Sequence, residues 1–212
     1  MRAKARVGGT RRRPVSRRDV RTELLHEATA LIAERGLGAI SLQDVASAVG
    51  VTKQSLLYYF DGKEALKLAV ADHVLESANR SLNTLLAELP SHSSRRIEAI
   101  LEHVNRFLED EPHAAAVYLR FFIDGDAAAV ERIKVGVRPW FGFLEDALQH
   151  AQRSGGIRRD LDSEGALLQI GMLVLTNFAL LPMGWTGKAS PTTRKQRLRD
   201  MVRTIELILF DR

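Results

Sequence analysis

The chain has 212 residues, with 31 Lys and Arg against 26 Asp and Glu for a formal net charge of +5, and it contains no cysteine. The lack of cysteine excludes disulfides, thiolate metal sites and cysteine nucleophiles, and it is compatible with the reducing cytoplasm expected as its location. At 45% hydrophobic residues, the chain can bury a substantial core in one or two domains.

The positive charge is unevenly placed. Residues 1–18 hold eight basic side chains and no acidic one, while the other 194 carry 23 basic against 26 acidic. With Gly8, Gly9 and Pro14 and almost no apolar residue, this stretch reads as a disordered basic arm that can neutralise phosphates along a nucleic-acid backbone or in a minor groove. A merely solubilising tail is the alternative. No apolar core follows the basic residues, so the pattern is not that of a secretory signal.

The first helix is expected from about Arg18 to Arg35, with Val20, Leu24, Ala28, Leu31 and Ile32 on one face and Gly36 as its stop. The fragment GLGAIS that follows is a near miss for a dinucleotide fingerprint. It comes after a helix instead of a strand and lacks the last glycine.

From Ser41 to Leu66 the sequence SLQDVASAVGVTKQSLLYYFDGKEAL carries three successive helix starts. Ser41 with Asp44 at the third position forms a variant of the capping box, and Ile40 with Val45 a hydrophobic staple around it. Gly50 supplies the left-handed residue that ends this helix, and one residue later Thr52 can cap the next, with Val51 and Leu56 as a second staple. Asp61 with Glu64 repeats the capping pattern for a third helix. So tight a turn points Lys53, Gln54 and Ser55 outward and Leu56 and Phe60 inward. A polar helix tip of this kind suits a DNA major groove, since its side chains can donate to base edges and its free N–H groups favour phosphate. An ordinary helical hairpin with a polar end is the plainer alternative for the bare turn.

GVTKQSLLYYFDGKEAL resembles the recognition-helix pattern of the TetR family of transcriptional regulators, and RTELLHEATALIAERGLGAISLQDVASAVG is similar to that family's first two helices. Together they span Val20 to about Ala71. One departure is visible: Leu57 stands where the family usually has an aromatic residue, so that contact is not carried over. The resemblance implies a dimer whose two heads read a palindromic double-stranded operator. Its DNA-binding set would be Ser41 and Gln43, then Lys53, Gln54 and Ser55 at the groove, with Thr52, Tyr58, Tyr59 and Lys63 on phosphates.

A long helix from about Gly62 to Leu89, ending at Pro90, should link this head to the rest of the chain. Further helices are expected near 94–109, 113–124, 127–154, 162–185 and 191–210, interrupted around Gly136, Pro139 and Gly142. No alternating strand pattern occurs, and the fold class is all-α. The expected organisation is an arm (1–18), a helix-turn-helix domain (19–71), and a helical effector-binding and dimerisation domain (72–212).

The stretch Gly165–Gly187 carries no charge and is almost long enough to span a bilayer. Gln169, Thr176 and Asn177 would need partners in lipid, Gly171 and Pro182 interrupt the helix, and the flanking charges show no clear bias. The favoured reading is a helix buried on every side, with the amphipathic face Leu198, Met201, Val202, Ile205 and Leu209 as a partner and no membrane contact. The resemblance implies that the last two helices build a homodimer interface.

Nothing in the motifs points to catalysis. There is no G-x-S-x-G elbow, no H-E-x-x-H and no P-loop, and the six histidines are scattered, so no enzyme activity, metal or cofactor is expected. A non-specific or architectural nucleic-acid-binding protein is the stronger rival, because the basic arm alone would serve it. Aromatic walls with isolated polar groups in the second domain fit a pocket for a small, largely apolar effector that is neutral or anionic. The candidate ligand residues are His103, Phe107, Tyr118, Arg120, Phe121, Trp140, Phe143, Asn177 and Phe178, with Arg120 and Asn177 as polar anchors.

Overall fold

In a computed structural model of the chain, residues 17–88, 96–179 and 191–210 are described, and among them there are nine α-helices and no strand. The expected arm, the end of the linking helix at Leu89 and Pro90, and the extension of the uncharged helix to 185 lie largely or wholly outside the described residues.

Helix α1 (Arg17–Arg35) ends at Gly36, whose φ of 83° is the left-handed conformation that closes a helix without a Cβ clash. Helix α2 (Leu42–Val49) starts as its sequence dictates. The Ser41 hydroxyl accepts from the Asp44 N–H at 3.2 Å, and the Asp44 carboxylate accepts from the Ser41 N–H at 2.8 Å, a complete capping box. At its end Gly50 has φ 77°, and the Gly50 and Val51 N–H groups return to Ser47 and Ala46, a Schellman pair. Helix α3 (Lys53–Tyr59) is capped by Thr52, whose Oγ1 accepts from the Ser55 N–H at 3.1 Å. At the start of helix α4 (Gly62–Glu88) the expected pairing of Asp61 with Glu64 gives way to another one: Glu64 holds Lys67 at 2.9 Å.

Helices α5 (Arg96–Asp110), α6 (Ala114–Ile123), α7 (Ala127–Arg153), α8 (Ser163–Ala179) and α9 (Pro191–Leu209) follow. The interruption expected around Pro139 does not occur, and α7 is continuous. Proline removes the N–H that would bond to the carbonyl of Val135, but Val135 is 64% exposed and water can serve that carbonyl. Gly136 has a packing role. A Cβ there would come within 2.8 Å of Leu75 Cδ2, so the missing side chain lets α7 approach α4 closely.

The core is what joins the head to the rest. Leu24, Ile32, Val45, Leu56, Leu66 and Val70 of α1–α4 share one buried cluster with Val117 and Phe121 of α6. Helix α6 packs against both α1 and α8, and α4 against α1 and α7. A smaller cluster, Ile157 with Met201, Ile205 and Leu209, seats α9 on α8. Helix α8, which carries no charge after Glu164, is not covered on every side within this chain, because Leu168 and Met172 remain about half exposed. Among the described residues no helix is long and apolar enough to cross a membrane.

Candidate functional site

The caps fix the outward face of the turn. Ser41, Gln43, Thr52, Lys53, Gln54, Ser55 and Tyr58 are all exposed, whereas Tyr59 and Lys63 are half-buried. Seen along α3, one side is committed to the core through Leu56 and Phe60, and the side that carries Gln54 and Tyr58 faces water. The Tyr58 and Tyr59 rings meet edge to face at 5.1 Å, which steadies the exposed one. Arg21 of α1 lies 5.3 Å over the Phe60 ring, tying the two helices together from the other side. Lys63 donates to the Gly38 carbonyl at 3.3 Å, close to the start of α2. The hydrogen bond from the Ser41 hydroxyl, at 2.6 Å, holds the Asp44 carboxyl below the usual carboxylate value. The cap therefore remains charged and formed under ordinary conditions.

A second constellation lies where the head meets α6 and α7. The Leu37 N–H donates to Asp124 Oδ2 at 2.7 Å, and Arg120 reaches the last carbonyls of α1 at Ala33 and Glu34, at 3.5 and 3.4 Å. Cations at a helix C-terminus complement its dipole. Nearby, Lys67 of α4 bridges Glu64 and Asp126, the N-cap of α7. Burial works against the Asp126 charge. The Ala129 N–H and Lys67 outweigh it and hold the carboxyl below its usual value.

The third feature is an open apolar cavity of about 200 Å³ lined by α4, α5, α6 and α8. Of the residues singled out in the sequence, His103, Phe107 and Tyr118 line it. The structure does not bring Arg120, Phe121, Trp140, Phe143 or Asn177 there. Arg120 is spent on the end of α1, and Phe121 is fully buried in the core next to the head. Trp140 donates to Asn79 Oδ1 at 2.5 Å between α7 and α4. Phe143 is exposed on α7, and Asn177 is exposed and bonded back to the Leu173 carbonyl of its own helix at 2.7 Å. The side chain of Phe178 lies outside the described residues.

The sequence reading missed Ala78, Ser81 and Leu82 of α4, Ala114 and Ala115 of α6, and Val174 and Leu175 of α8. One signal was available. A run of three alanines opposite ring-bearing helices leaves space that no side chain fills.

Within the cavity wall, His103 Nε2 lies 2.7 Å from the Ser81 carbonyl, which can only accept, so Nε2 carries the proton. Its Nδ1 is buried with no partner among the described residues. Burial pushes the Tyr118 phenol well up, so it remains protonated.

Residues 24–70, the head just described, match the family model for bacterial regulatory proteins of the tetR family. The head is a TetR-family DNA-binding domain. Among TetR-family relatives, the transcriptional repressor KstR2 of Rhodococcus jostii is 28% identical over 150 residues, 68% of this chain and 71% of that protein. The ketosteroid transcriptional regulator KstR2 of Mycobacterium tuberculosis has the same fold at a TM-score of 0.70, with 18% identity over 93% of this chain and 98% of that one. AibR, solved with isovaleryl coenzyme A and operator DNA, matches at a TM-score of 0.67 and 20% identity over 87% and 97%. The TetR-family head thus coincides with the outward polar tip, and the fold likeness extends through the cavity-bearing helices.

Proposed function

We propose that this protein is a ligand-responsive repressor that binds a palindromic operator as a homodimer and releases it when a small, largely apolar effector enters the cavity. The observation that carries this reading is the position of α4, which continues from the DNA-reading tip and also forms one wall of the cavity through Ala78, Ser81 and Leu82. Helix α6 forms another wall; near its end Arg120 holds the last carbonyls of α1, and Asp124 holds the Leu37 N–H just beyond α1. An effector that wedges between these walls acts on both supports of the head. It releases DNA if it prefers the arrangement in which the head is misplaced. No chemistry is required, and occupancy of promoter DNA is sufficient for repression.

Dimerisation through α8 and α9 is supported by the apolar side chains those helices leave in water, Leu168, Met172 and Leu207. A dimer would place two α3 tips on two half-sites. The relatives fit this scheme, because AibR was solved with both an effector and an operator, and the Rhodococcus KstR2 is a repressor. A reducing intracellular location follows from the same role. The rival architectural role predicts binding without sequence preference, and a footprint on one palindrome that is absent from scrambled DNA separates the two.

The effector half of the reading is tested with a panel of apolar acids, esters and acyl thioesters. A true effector raises the melting temperature of the protein and lowers its affinity for operator DNA together. A panel in which no compound does both would remove the sensing role and leave the DNA-binding role standing.

A further inference from the structure

Helix α3 has one side chain that its own fold leaves unexplained. Leu57 is 39% exposed, whereas every other leucine in residues 17–71 (Leu24, Leu25, Leu31, Leu37, Leu42, Leu56, Leu66 and Leu68) is buried or half-buried. It lies one turn after Lys53 and three residues after Gln54, and so between them on the surface of the helix. The inward side is taken by Leu56, Phe60 and the partly buried Tyr59. Leu57 therefore faces the same way as the polar tip and not the core.

A leucine in that place can neither donate nor accept a hydrogen bond. It gains nothing from phosphates or from the nitrogen and oxygen atoms of base edges. In the major groove the apolar group available to it is the C5-methyl of thymine. We propose that Leu57 is a specificity-determining residue that reads one thymine methyl in each half-site of the operator. The inference rests on the reading of α3 as the groove-facing helix. Lys53 and Gln54, on either side of Leu57, would set the polar part of the code and Leu57 its apolar part.

The experiment compares thymine with deoxyuridine, which retains every hydrogen-bonding group and lacks only the methyl. Purified full-length protein first selects its preferred site from random duplexes. Affinity is then measured on that site and on copies carrying deoxyuridine at one thymine position in both half-sites. The wild type is expected to lose about fourfold per half-site at one position, the size of one buried methyl-sized group. Leu57→Ala and Leu57→Gln should bind the thymine and deoxyuridine duplexes equally at that position. Two substitutions are used so that misfolding of one, checked by its thermal melt, leaves the other to decide.

The inference is overturned if the wild type binds every deoxyuridine duplex as tightly as its thymine parent. It is also overturned if the penalty persists unchanged in both variants, since another residue would then read the methyl. Failure of the wild type to select any site would overturn the groove-facing role of α3 itself, a separate outcome visible in the first step.

Discussion

Replacing Asp124 by alanine should loosen the head without touching the DNA-reading face or the cavity. The carboxylate accepts the Leu37 N–H at 2.7 Å, and Leu37 is only 3% exposed, so its amide has little access to water once the partner is gone. A hydrogen bond to a charged group is worth about 1.5–3 kcal/mol, and a buried amide left unpaired costs about 1–3 kcal/mol. Because the Asp124 side chain is itself accessible to solvent, the lower part of these ranges applies, about 1–2 kcal/mol. For a chain of this size that corresponds to a melting temperature lower by roughly 2–8 °C. Urea unfolding followed by circular dichroism measures the stability change. Asp110→Ala, an exposed change nearby in sequence, should stay within about 0.5 kcal/mol. DNA affinity should fall with the Asp124 change, and the residual affinity should respond less to effector, since one of the two links from α6 and its end to the head is missing. A variant as stable as the wild type, with an unchanged effector response, would refute the view that this bond couples α6 to the head.

Further expectations concern packing, pH and base reading. Gly136→Ala would place a Cβ 2.8 Å from Leu75 Cδ2 and should cost about 1–3 kcal/mol by overpacking, whereas adding Leu75→Val should restore part of the loss in denaturant melts. Burial, and then the His26 ring 5.0 Å away, lower the His73 pKa, with Arg80 opposing protonation and Glu111 and Glu76 favouring it. The folded state therefore resists protonation. The associated stability is present above about pH 6.5 and is lost as the pH falls through the lowered value. Melting temperatures between pH 7.5 and 5.5 should accordingly drop less in His73→Leu than in the wild type, and equal drops would show that His73 is not responsible. In selected-site profiles, Gln54→Ala should change the preference at one base position, by about 1–3 kcal/mol if its contact is bidentate. Lys63→Ala should weaken all sequences alike.

What could be seen in the sequence was governed by local rules. The Ser41 and Asp44 box, the left-handed Gly50 and the Thr52 cap involve residues at most three apart, and backbone sterics leave them little choice. The outward tip of α3 follows from them. Arg120 and Asn177 were misplaced because a helix sequence does not reveal what the neighbouring helix offers. Arg120 finds the carbonyls of α1 at a separation of 86 and 87 residues, and Asn177 satisfies itself on its own helix. The role of Gly136 was equally hidden, since a glycine reads as a weak point until the Leu75 side chain that occupies its missing Cβ is seen. The cavity was only partly legible, through His103, Phe107 and Tyr118. Its α4 wall belongs to a helix whose visible task was to carry the head.

The central claim is that two α3 tips on one dimer read a defined operator. Its most direct test is to sequence the DNA selected by the purified protein from random duplexes at physiological salt, and to determine the mass of the resulting complex. The expected result is an enriched inverted repeat, with half-site centres about 10 base pairs or a multiple of that apart, bound by two copies of the chain or a multiple of two. Retention of DNA with no enriched sequence, or an enriched site bound by a single chain, would contradict it.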